Sequence, residues 1–119
     1  MRDRRVLVLE LIKNPKTVNT VLQELCEYGW YCENPLATLT KLDVLAVLKQ
    51  FERAVLSAAE IEAWANSVGG RTDIELEFGA DGVVEESLFW LAHPEINWPV
   101  NAALCKRIVA LYERRRDKR

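Results

Sequence analysis

An all-α fold, a compact irregular bundle of five or six short helices in a single domain over residues 1–119, is predicted by three observations on this sequence. Apolar residues recur at i, i+3, i+4 and i+7; Ser or Thr stands three residues ahead of Glu or Asp at two helix starts; glycine or proline stands where the apolar stripes end. The composition agrees, because 119 residues that are 50% hydrophobic and 29% charged can build one core without a metal or disulfides as staples. No apolar run approaches the roughly 20 residues that span a bilayer, and no small-residue cleavage site follows an apolar leader. A cytoplasmic protein without membrane attachment, monomeric or homodimeric, is therefore expected.

Residues 5–12, RVLVLELI, are too few for periodicity to separate helix from strand, and helix is preferred. Asn14-Pro15 offers an N-cap and a first-turn proline, after which Val18, Val21, Leu22 and Leu25 share one stripe until Gly29. Trp30 to Leu39 carries Asn34-Pro35 and no period, so an irregular connection anchored by Trp30 and Tyr31 is expected. Thr40 and Asp43 form a capping box ahead of Leu42, Val44, Leu45, Ala46, Val47, Leu48 and Phe51, apolar on nearly every side, which predicts a helix in the middle of the fold. A second box, Ser57 and Glu60, opens a helix with Ile61, Trp64, Ala65 and Val68 on one stripe and Gly69-Gly70 as its stop.

IELEF, residues 74–78, alternates like a short strand, yet no partner strand is evident in the chain, so an extended turn is expected there. After Asp81-Gly82 a helix bearing Val84, Leu88 and Leu91 must end at Ala92-His93, because the residue before Pro94 is pushed out of the helical region. A connection from Pro94 to Pro99 presents Trp98. A last helix from Asn101 then carries Cys105, Ile108, Val109 and Tyr112 on one face and runs into residues 114–119, expected to be a frayed basic tail.

Chemistry-bearing constellations are sparse, and no catalytic residue, cofactor site or metal site is predicted. Cys26, Cys32 and Cys105 are an odd set without CxxC spacing, which suits reduced thiols; Cys26 and Cys105 fall on apolar stripes and read as small core residues. His93, the single histidine, is placed to meet the last carbonyls of a helix. Gly69-Gly70 follows a helix instead of opening one, so it is no phosphate cradle. The spacing of Asp73, Glu75, Glu77 and Asp81 lacks the glycine and glutamate of a calcium loop, with Phe78 and Val84 in those places.

Charge is unevenly spread. Residues 1–16 sum to +3 and 96–119 to +5, while 52–95 sum to −8. The basic ends lack interleaved aromatics and the whole chain carries −2, so solvated termini are expected in preference to nucleic-acid contacts. The acidic stretch Asp73, Glu75, Glu77, Asp81, Glu85 and Glu86 has two readings, a solvated face or a docking surface that steers a basic protein partner, with Phe78 and Trp98 as its aromatic anchors.

The strings Trp64-Ala65-Asn66 with Gly70-Arg71-Thr72-Asp73-Ile74, Leu91-Ala92-His93-Pro94-Glu95-Ile96-Asn97, and Thr17-Val18-Asn19 with Tyr28-Gly29-Trp30 resemble a family of small bacterial proteins of unknown function. That family reads WAN, then a glycine-arginine and an acidic-Asp-Ile sequence, and later LANPEIN; here Thr72 replaces the acidic residue and His93 an asparagine. Proteins of this kind are similar to immunity proteins, which neutralise a cognate toxin by occluding it. The resemblance thus implies a non-enzymatic inhibitor of a basic toxin domain, with a regulatory or adaptor protein, or a nucleic-acid-associated protein, as the alternatives. The residues themselves also have a plain scaffold account: Trp64 and Ala65 on a buried stripe, Asn66 off it, and Arg71 paired with Asp73 across the turn.

Overall fold

The computed structural model describes residues 3–29, 32–77 and 82–117, with side chains as far as Glu113. Among these residues it is a mostly helical bundle of six α-helices: α1 (Arg4–Lys13), α2 (Val18–Leu25), α3 (Lys41–Glu52), α4 (Ala58–Val68), α5 (Val83–Ala92) and α6 (Ala102–Asp117). Two three-residue strands, β1 (Ala37–Leu39) and β2 (Ile74–Leu76), complete it. Both expected capping boxes form, with Thr40 and Ser57 side chains accepting from the amides of Asp43 and Glu60, whose carboxylates accept in return. Asn101 accepts the amide of Leu104 at the start of α6.

The core lies where the apolar stripes meet. Leu7, Val8, Leu11 and Ile12 of α1 are buried, as are Ile61, Trp64, Ala65 and Val68 of α4, and Val84, Leu88 and Leu91 of α5. Trp64 is fully enclosed, and its indole Nε1 donates to the Leu11 carbonyl at 3.0 Å, satisfying the one polar atom that its burial removes from water. From α6, Leu104, Cys105, Ile108 and Tyr112 close the core, and the Ser87 and Tyr112 hydroxyls lie 2.6 Å apart within it.

Several expectations are corrected. IELEF does have a partner: β2 pairs in parallel with β1 in the register Ala37↔Ile74, Thr38↔Glu75, Leu39↔Leu76, so residues 37–39 are strand and not irregular connection. The crossover between the strands holds α3 and α4, and a parallel pair needs a connection of this kind. α3 is peripheral on one side, since Leu42 is 76% exposed and only Asp43, Val44, Val47 and Leu48 are buried. Asn14 does not cap α2 with its side chain; its amide donates to the Glu10 carbonyl and closes α1, and the chain passes through a 3-10 turn at Pro15–Thr17. Cys26 is exposed, because α2 ends at Leu25 and the following 3-10 turn, Cys26–Tyr28, rotates it off the stripe. Residues 114–117 continue the helical backbone of α6. Trp30 and Tyr31 lie outside the described residues.

Candidate partner-docking face

The acidic stretch divides into a part the fold consumes and a part it leaves outward. Asp73, expected on a docking surface, is fully buried. α4 ends at Val68 with Gly69 as its C-cap, Gly70 adopts φ +79° with open space where a side chain would stand, and the chain turns so that Arg71 grips Asp73 with Nε and Nη2 at 2.8 and 2.9 Å. From α1, Arg4 Nε donates to the same carboxylate at 3.1 Å, while its Nη1 reaches the Tyr28 carbonyl and its guanidinium lies 5.9 Å from the Tyr28 ring centroid. Burial pushes the Asp73 pKa up, but Arg71 and Arg4 outweigh it and hold the carboxyl below its ordinary range. Asp73 therefore ties α1 to the start of β2 and is withdrawn from any docking role.

Glu77 is also partly spent. Its Oε1 accepts the Lys41 amide at 2.6 Å, so it satisfies one of the orphan donors in the first turn of α3. Glu75 is exposed on β2, with one oxygen 3.5 Å from the Thr38 hydroxyl. Phe78 and Asp81 lie outside the described residues. Trp98 packs within the chain, edge-on to Trp90 with ring centroids 5.2 Å apart and with the Arg107 guanidinium 4.2 Å over its own centroid, which leaves 37% of it exposed.

What stays outward is one face of α5. Val83, Val84, Ser87, Leu88, Leu91 and Ala92 turn inward, and the opposite arc carries Glu85, Glu86 and Phe89, with Phe89 46% exposed. His93 continues this arc, its ring centroid 5.0 Å from that of Phe89 and its Nδ1 3.4 Å from a Glu95 oxygen; Glu95 and Ile96 are exposed in the turn that follows. No Lys or Arg occurs from Thr72 to Cys105. Reasoning from sequence missed Phe89, Glu95 and Ile96; the available signal was that Phe89 lies off the Val84–Leu88–Leu91 stripe and one turn after Glu85.

The two resembling strings meet beside this face. Asn66 Nδ2 donates to the Ala92 carbonyl at 3.2 Å, and Asn97 Nδ2 to the His93 carbonyl at 3.0 Å, so both asparagines satisfy carbonyls that the end of α5 leaves without helical partners. A cleft of about 220 Å³ runs between α4 and α5, with Leu76, Leu88 and Ala92 along it, Gly69-Gly70 on the α4 side, and Glu85, Phe89 and His93 on the α5 side. A second groove of about 320 Å³, lined by Leu42, Leu45, Val109 and Glu77 among others, separates α3 from α6. Among the described residues no three His, Cys, Asp or Glu side chains converge as a metal site, and no helix is long and apolar enough to cross a membrane.

No family model, curated protein or solved structure matches the chain.

Proposed function

We propose that this protein is a non-enzymatic binding domain of the immunity type, which neutralises a cognate toxin by laying the outer face of α5 over a basic surface of it. The observation that carries this reading is the pairing of acidic side chains with apolar area: Glu85, Glu86 and Glu95 flank the exposed Phe89 and Ile96 in a stretch of sequence without a single Lys or Arg. A face of one sign speeds encounter with a complementary surface, and exposed aromatic and aliphatic side chains supply the contacts that are desolvated once the complex forms. The mechanism is steric and electrostatic occlusion, and no group of this chain acts as acid, base or nucleophile in it.

The reading is tested by tagging the protein, expressing it in its native host and identifying what co-purifies at moderate salt, alongside the triple variant Glu85→Lys, Glu86→Lys, Glu95→Lys. A basic toxin domain recovered with the wild type and lost with the variant supports inhibition. A different protein lost in the same way assigns the face to a regulatory adaptor, and recovery that ignores the charge reversal rejects the face.

A further inference from the structure

We propose that the cleft between α4 and α5 is a socket for one arginine side chain of the partner. This rests on the docking face just described and specifies what that face reads. The cleft is lined by groups that such a side chain uses: Leu76, Leu88 and Ala92 are apolar and suit an aliphatic stem, and Glu85 supplies a carboxylate, with His93 also on the lining. Phe89 stands one helical turn from Glu85, about 6 Å along the axis, and is 46% exposed, so a stem lying against the ring brings its cationic head to the carboxylate.

On the α4 side the cleft is lined by Gly69-Gly70, and nothing lies within 4 Å of the position a Gly70 side chain would take. Among the described residues Glu85 has no cationic partner within the chain. The carboxylate therefore gains a charge-assisted, bidentate pair only from outside.

Arginine fits better than lysine on two grounds. Its planar fork matches a carboxylate with two parallel hydrogen bonds, and its weakly hydrated guanidinium lies against aromatic rings, whereas an ammonium is a compact, strongly hydrated point charge. This protein already places arginines against aromatic rings, Arg107 over Trp98 and Arg4 beside Tyr28.

The test is a nuclear magnetic resonance titration of the full chain with two basic 12-residue peptides, one carrying a single arginine among lysines and the other having lysine in its place. The socket predicts that the arginine peptide binds at least fivefold more tightly and shifts the amides of Gly69, Gly70 and Phe89. Glu85→Gln and Phe89→Ala, both surface changes whose folding is checked by melting temperature, should each remove the difference. Equal affinities, with shifts confined to Glu86, Glu95 and Ile96, would overturn the socket and leave the docking face standing. Absence of shifts anywhere on α5 with either peptide would overturn both.

Discussion

Arg71 holds the carboxylate of Asp73 in a two-point grip, at 2.8 and 2.9 Å, only two residues before it in the chain. Arg4, 69 residues away in the chain, completes the arrangement at 3.1 Å. All three side chains are largely shielded, with 14%, 12% and 1% exposure for Arg4, Arg71 and Asp73. Removing the carboxylate would leave two guanidinium groups facing each other in a shielded site.

Asp73→Ala is expected to destabilise the protein by about 3 to 5 kcal/mol, the range for breaking a buried pair by removing one partner. Denaturant midpoints of variant and wild type measure it. A loss within 1 kcal/mol would mean that water reaches the arginines and that the grip is not structural.

The same carboxyl sets part of the acid sensitivity. Asp73 is held below its ordinary value of 3.8, as is Asp43, where burial is outweighed by hydrogen bonds from Lys13 and Thr40. A carboxyl with a depressed folded pKa contributes stability that is fully present above its unfolded value and is lost as pH falls through the folded one. Unfolding midpoints should be flat from neutrality down to about pH 5 and drop below about pH 4, and Asp73→Asn should make the drop shallower. An unchanged slope in Asp73→Asn would assign the acid loss elsewhere.

Trp64→Ala should cost roughly 3 to 5 kcal/mol, because it empties a fully enclosed site and orphans the Leu11 carbonyl. Trp64→Phe separates the two effects, since it retains most of the packing and loses the 3.0 Å hydrogen bond. Its expected cost is closer to about 1 to 3 kcal/mol. Unchanged thermal stability in the alanine variant would contradict the placement of α4 at the centre of the core.

Two of the three thiols, Cys26 and Cys105, should differ sharply in reactivity. Burial, with the charge of Glu52 adding to it, pushes the Cys105 pKa up to about 11, and the side chain is enclosed; Cys26 is exposed. Iodoacetamide on the native protein should label Cys26 rapidly and Cys105 only after denaturant is added. Mass spectrometry of the digested protein reads the sites, and native labelling of Cys105 would show that α6 opens.

How much of this was legible beforehand depends on the range of the interaction concerned. The Thr40–Asp43 and Ser57–Glu60 boxes and the proline stop at Pro94 act within a turn or two, so the helices they bound could be read directly. The β1–β2 pair could not, because three-residue strands 37 positions apart carry too little alternation to announce each other. The Arg71–Asp73 pair, two residues apart, was legible, but Asp73 was also grouped with its acidic neighbours, because its second partner, Arg4, stands 69 residues away in the chain. Leu42 misled in the other direction: apolar residues all round α3 suggested a central helix, and the helix instead packs with one side outward. Of the acidic stretch and Trp98, expected to form a docking surface, Asp73 and Glu77 are occupied within the fold and Glu85 and Glu86 stay outward on α5, which is why the proposed face is drawn there.

The central claim, that the α5 face docks a basic protein, is tested most directly by titration calorimetry of the co-purified partner against wild type and the Glu85→Lys, Glu86→Lys, Glu95→Lys variant. The account predicts affinity weakened at least a hundredfold in a variant that still unfolds cooperatively, with a wild-type affinity that falls as salt is raised. Affinities within threefold of each other would place the partner on another surface and contradict the account.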